Sequence, residues 1–383
     1  MEHLALARLV LTALVMALLP LSWWWLRQRR SDVRTRLAAL TALTLFLTFD
    51  LIVFGSFTRL TDSGLGCPDW PGCYGQADPL AAAAPIGAAQ AAMPSGPVTP
   101  TKAWIEMIHR YLAMAVGALI LVAAWVSWRR RDELRHSMEW PVGWPTAALV
   151  WVIVQGLFGK YTVTLKLYPA VVTLHLLGGL VLLALLVRQH ESYRSQASRI
   201  AVQPRAVALV LCLLFAQVAL GGWVSSNYAV LACSGFPQCN GQWWPPMDGT
   251  LGFEILRELG RTGDGRFLPV QALVAIQMAH RVFALVAVVA VLILAAALRR
   301  SLNPSASRYA WALVALIGVQ LATGVTNVVL DWPLAAALLH SAGAAALVGV
   351  LTSLWARASM PASRRGARLT APGHGTAPNR TGS

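Results

Sequence analysis

The segment GSFTRLTDSGLGCPDWPGCYGQ covers residues 55–76, and a divergent second version, GGWVSSNYAVLACSGFPQCNGQ, covers 221–242. Cys67-x5-Cys73 returns as Cys233-x5-Cys239, Gly55 as Gly221 and Gly75-Gln76 as Gly241-Gln242, each 166 residues on. Outside this block, His109-Arg110 returns as His280-Arg281 at an offset of 171, and His175 returns as His340 at 165. Gln155 and Gly159 return as Gln320 and Gly324. A near-constant offset, kept in order along the chain, is the mark of an internal duplication. Each copy carries two histidines inside apolar segments, where ionisable groups are costly and functional by default.

The chain is 57% hydrophobic and 12% charged, about half the charged fraction of a soluble domain, roughly 25%. Apolar runs long enough to cross a bilayer lie near 4–26, 37–58, 103–127, 142–161, 169–187, 206–226, 271–298, 309–330 and 334–356. Eight of these divide into two sets of four, and the first stands apart. A cleaved signal peptide competes for 4–26. That run lacks a basic leader and a small-residue cleavage site, and Arg27, Arg29 and Arg30 follow it directly, so a retained helix is expected. The expected fold is an all-α integral membrane protein: two pseudo-repeated four-helix transmembrane bundles plus one extra N-terminal transmembrane helix. The units are 1–36, 37–190, 191–356 and a disordered soluble tail, 357–383.

Charge orients the spans. The segments 27–36, 129–135, 188–205, 299–308 and 357–383 hold 21 of the 31 Lys and Arg. All five fall on one side, which the positive-inside rule makes cytoplasmic. The net charge of +15 is therefore topology and attraction to anionic lipid, and it calls for no nucleic acid. The loops 59–102 and 227–270 then face outside, where the Cys67/Cys73 and Cys233/Cys239 pairs are expected to form disulfides. Structural stapling and a redox role both remain open for them. Neither loop has a further Cys or His to complete a metal site. Cys212 reads as core packing, and the Ala- and Pro-rich stretch 77–100 as a flexible excursion.

This topology puts His109, His175, His280 and His340 in the outer halves of the second and fourth helices of each bundle. Two imidazoles at one depth suit axial ligation of a haem in a bundle core. A lone membrane histidine is more often a helix–helix hydrogen-bonding group; two pairs repeated by duplication favour two ligand sites. A copper or zinc quartet fits less well, because the pairs belong to separate copies. Arg110 and Arg281, near the outer interface, are candidates for haem propionates. His3, His136, His190 and His374 fall in termini or polar linkers. The copies also differ. Glu106 lies three residues before His109, on its helix face, where the second copy has Gln277 before His280, and Arg59 and Asp62 become Ser225 and Tyr228. A proton-handling role for Glu106 competes with simple pairing to Arg110 or Lys102.

The stretches 55–76, WIEMIHRYLA (104–113), TLHLLGG (173–179), QMAHRVFA (277–284) and LLHSAG (338–343) resemble the haem A synthase family, in order and over roughly 37–356. The resemblance implies oxidation of the C8 methyl of haem O to a formyl group, giving haem A for cytochrome c oxidase. It implies that His109 and His175 bracket substrate haem in 37–190 and that His280 and His340 ligate a permanent haem b in 191–356. It makes Glu106 the functional glutamate and matches both cysteine pairs to the family's external cysteines. The setting it implies is the cell's inner (plasma) membrane, with the cysteine loops periplasmic. Implied partners are haem O, membrane lipid and an unidentified electron donor or acceptor, with the haem O synthase and a second copy of the chain as candidates. Two other classes share parts of the pattern: a diheme electron-transfer protein resembling cytochrome b, and a membrane thiol oxidoreductase. Against the first, all four histidines sit at similar depth. Against the second, five residues separate each cysteine pair.

Overall fold

The computed structural model describes residues 2–136, 138, 140–194, 199–301 and 303–360, with side chains from residue 7 onward. The segment expected as a tail lies, from 361 on, outside the described residues. Among the described residues, nine helices are long and apolar enough to cross a membrane. They are α1 (Glu2–Gln28), α2 (Val33–Leu60), α3 (Pro100–Arg129), α4 (Gly143–Thr164), α5 (Pro169–Tyr193), α6 (Pro204–Ser226), α7 (Val270–Arg299), α8 (Pro304–Val329) and α9 (Leu334–Ala358).

Local chemistry sets where these helices start. The side chains of Asp32, Thr99 and Asn303 accept from the backbone N–H groups of Thr35, Lys102 and Ser305. Pro100, Pro169, Pro204 and Pro304 occupy first turns, where a missing N–H costs nothing. Buried Thr44, Thr48 and Thr58 return their hydroxyls to the carbonyls of Leu40, Thr44 and Phe54. Polar side chains thus pass through the apolar packing already satisfied.

Within the first half, α2 packs on α3, α3 on α4, α4 on α5, and α5 closes the ring on α2; α6 to α9 repeat the arrangement. The halves join where α5 meets α6 and α9, and where α9 meets α2. The largest core cluster lies along this seam, with Leu180, Leu183, Leu214, Val348 and Leu351 buried. At one end of the bundle, Glu191 accepts from Ser353 at 2.8 Å and from Arg357 at 3.3 Å. There Arg188 also lies between the rings of Trp144 and Trp355. Helix α1 stands outside both rings and leans on α3 and α2, burying Leu9, Ala17 and Trp24.

The duplication reaches the backbone. The non-glycine residues with positive φ are Asp62, Tyr74, Lys166 and Leu167 in the first half and Tyr228, Asn240, Asp331 and Trp332 in the second. Each of the first four matches one of the second at an offset of 165 or 166. Left-handed backbone is costly for such side chains, so its return at every equivalent turn means that the same loop geometry was duplicated. Both disulfide loops close with a two-way backbone pair, Cys73 with Gln76 and Cys239 with Gln242.

Three expectations are corrected. The stretch 77–100 contains a helix, Ala83–Ala92. Its Ile86, with Ala77 and Ala82, packs against the first disulfide and Met107, and Tyr111 donates to the Ala77 carbonyl at 2.6 Å. Alanine favours helix wherever an apolar face can be covered. Cys212 is exposed on the outer surface of α6 rather than packed in the core. His190 belongs to the last turn of α5, half-buried, with Nδ1 3.2 Å from the Ala38 carbonyl.

Candidate functional site

The four repeated histidines form two pairs, one in each ring. His109 on α3 and His175 on α5 belong to the first ring, and His280 on α7 and His340 on α9 to the second. Each imidazole faces a glycine of a neighbouring helix, and each of these glycines belongs to the repeat. A Cβ on Gly55 would lie 3.0 Å from His109 Cε1, and one on Gly221 2.9 Å from His280 Cε1. The matching distances are 3.7 Å from Gly159 to His175 and 3.3 Å from Gly324 to His340. At Gly55, Gly221 and Gly324 the missing Cβ makes room for an imidazole ring, whereas at Gly159 it would make only ordinary contact. Phe54, which sequence reasoning passed over, stacks on His109 with centroids 6.3 Å apart and planes 10° from parallel.

The rings are supported differently in the two halves. His109 Nδ1 and His175 Nδ1 are buried with no hydrogen-bond partner among the described residues. His340 Nδ1 lies 3.0 Å from Thr323 Oγ1, and Gln217 Nε2 is 3.0 Å from His280 Nδ1. Gln320 also reaches the backbone carbonyl of His340 at 2.8 Å, whereas both polar atoms of its counterpart Gln155 are unpartnered.

Glu106 sits one helical turn before Arg110 on α3, 4% exposed. One carboxylate oxygen accepts the Cys67 backbone N–H at 2.8 Å, and the other is ion-paired with Arg110. Arg110 in turn donates to the carbonyls of Asp69, Pro71 and Gly72. The first disulfide loop is thereby clasped onto the histidine helix. In the second half, Arg281 reaches the carbonyls of Gln238 and Cys233, while Gln277 Oε1 stays buried without a partner. Both arginines, expected near propionates, therefore also hold a disulfide loop, a duty that no sequence signal had revealed. The disulfides Cys67–Cys73 and Cys233–Cys239 are formed, with all four cysteines at most 1% exposed.

Among the described residues, no three His, Cys, Asp or Glu side chains gather into a metal-binding group. Haem needs only two protein ligands, because the porphyrin supplies the other four. Two imidazoles in each ring, unpartnered buried Nδ1 atoms in the first pair and close glycine clearance at His109, His280 and His340 fit that requirement.

Comparison with known proteins agrees. Residues 38–352 match the family model COX15-CtaA, described as cytochrome oxidase assembly protein. A protein of Shewanella oneidensis named "Heme A synthase" is 37% identical over 333 residues, covering 85% of this chain and 98% of its own length. One of Caulobacter vibrioides with the same name is 29% identical over 355 residues, covering 87% and 98%. With the histidine pairs, the disulfide loops and nearly all of both rings inside these matches, the chain belongs to the haem A synthase family.

Proposed function

We propose that this chain oxidises the C8 methyl of haem O to a formyl group, with the substrate held between His109 and His175 and a resident haem b between His280 and His340. The observation that carries the reading is the placement of four half-buried histidines, two in each duplicated ring, with Glu106 one turn before the first of them where the second copy has Gln277. A resident haem b would supply one-electron redox chemistry when bound. The rest falls to the chain's own side chains.

With water as the oxygen source, converting a methyl to a formyl group releases four protons, and four electrons that leave one at a time to an external electron acceptor. A carboxylate beside the substrate ligand is suited to accept such protons. Glu106 keeps lone pairs beyond those used by Cys67 and Arg110, and its anchoring to the loop fixes its distance from His109. Arg110 and Arg281 would meet propionates through N–H groups other than those bonded to the loops; Arg281 Nε is without a partner among the described residues. The long apolar tail of haem O suits entry from the bilayer. In this reading the protein lies in the plasma membrane with its disulfide loops outside, on the charge asymmetry of its linkers.

The test is to purify the chain from membranes and identify its extracted haems by chromatography and mass. Haem B together with haem O, haem A or a hydroxylated intermediate is expected. Haem B alone, at two per chain, would instead make this a diheme electron-transfer protein.

A further inference from the structure

The duplication allows each histidine to be compared with its own counterpart, and the difference lies behind the rings. Thr323 Oγ1 donates to the Val319 carbonyl at 2.7 Å, which commits its proton. Towards His340 Nδ1, 3.0 Å away, the hydroxyl can then only accept. That fixes the tautomer with the proton on Nδ1 and leaves the Nε2 lone pair free for a metal. At the offset of 165 that relates Gly159 to Gly324, the first-half counterpart of Thr323 is Phe158, which cannot accept a hydrogen bond. At the offset of 166, the counterpart of Gln217 is Leu51. His175 Nδ1 and His109 Nδ1 are accordingly unpartnered. One scaffold, used twice, orients its imidazoles in the second half and leaves them unanchored in the first.

We propose that Thr323 is a positioning residue that makes the second-half haem a retained cofactor, and that Phe158 in its place makes the first-half haem exchangeable. A ligand whose ring is held by a hydrogen-bonded neighbour loses no orientation when the metal site forms, and gains basicity. A ring without that support rotates away at little cost, which suits a substrate that must enter and a product that must leave. Gln217 does not act in the same sense: its amide N–H can only donate to His280 Nδ1, so the tautomer argument applies to His340 alone. The inference rests on the proposed assignment of substrate to the first half and cofactor to the second.

The experiment uses the full-length protein in detergent, with transfer of haem to an excess of a soluble haem-binding apoprotein as the readout. Thr323→Val removes the acceptor and keeps the shape. Loss of the tightly held haem should then be about 10-fold faster, at the lower end for changes in a ligand's hydrogen-bond partner. Its reduction potential should rise as the imidazole becomes a weaker donor. Thr323→Ser should restore both. Phe158→Thr should slow release from the first half. If Thr323→Val matches the wild type in haem loss and in potential, the inference is overturned. His340→Ala and His175→Ala test the underlying assignment separately. If His340→Ala spares the retained haem and His175→Ala removes it, that assignment fails whatever Thr323 does.

Discussion

Arg59 donates from Nη2 to the backbone carbonyl of Ser225 at 2.6 Å, and Ser225 is the residue that stands in the second half where Arg59 stands in the first. Three residues on, Tyr228 donates to the carboxylate of Asp62, again its own counterpart, at 2.5 Å. Residues meet their own equivalents only on a symmetry axis, so the approximate twofold of the duplication runs between these two loops. Four spans per copy bring each half in from the same side, so that axis lies along the membrane normal. Substitution has since broken the symmetry on the axis itself: the Arg59 guanidinium now lies 4.0 Å from the centroid of the Tyr228 ring.

This bridge has a pH signature. Burial, more than any neighbour, pushes the Tyr228 hydroxyl above its ordinary value of 10.0, with Arg59 pulling the other way. The folded protein therefore holds the proton more tightly than the unfolded chain. Whatever stability this brings is complete below about pH 10 and is lost as pH rises through the folded value. Ultraviolet titration of the wild type against Tyr228→Phe should show one tyrosine ionising late. A difference spectrum with no late component would show that this hydroxyl is not shielded from water as the fold places it.

Glu106→Gln should lower haem A formation by about 100-fold, within the range of a lost acid–base group, while haem content stays normal. The amide oxygen can still accept the Cys67 N–H but the ion pair with Arg110 is lost, so it is the normal haem content that separates a chemical effect from a structural one. Full haem A output from this variant would remove Glu106 from the chemistry.

The glycine cradles predict a graded series. Alanine at Gly221 or Gly55 places a carbon 2.9 or 3.0 Å from an imidazole, so the ring must shift, at about 1–3 kcal/mol. Gly324→Ala, at 3.3 Å, should be milder, and Gly159→Ala, at 3.7 Å, nearly silent. The ratio of haem to protein after purification should follow that order. Equal losses at all four sites would show that ring clearance is not what these glycines provide.

The two disulfides should differ in their effect on activity. Closing so short a loop contributes ~2 kcal/mol in the chain-entropy account, and both double Cys→Ser variants should lose about that much. Only the Cys67/Cys73 variant should also lose turnover, because that loop carries the backbone N–H bonded to Glu106, one turn before His109. Haem A yield from each double variant decides it. An equal fall in both would mean that the loops act through folding alone.

Much of the fold was legible because a bilayer admits few solutions. Long apolar runs, basic linkers and the repeat placed every span, and the ends observed fall within a few residues of those expected. Cys212 and the segment 77–100 were misread for one shared reason. A membrane protein faces lipid as well as its own core, and an alanine-rich loop can fold when a buried disulfide offers it a surface, so composition alone distinguishes neither case. The loop-clasping duty of Arg110 and Arg281 was hidden as well, since the carbonyls they bind lie about 40 residues away.

By itself, the sequence determined the class of the molecule, its duplication, the four histidines and Glu106, the carboxylate that one copy carries three residues before a histidine and the other lacks. Each of these is written in residue type and spacing along the chain. Only the tertiary structure decided what each glycine clears, and that Thr323 stands behind His340 where Phe158 offers nothing. These are contacts between helices, set by how the rings pack against one another, and no periodicity within a single helix encodes them.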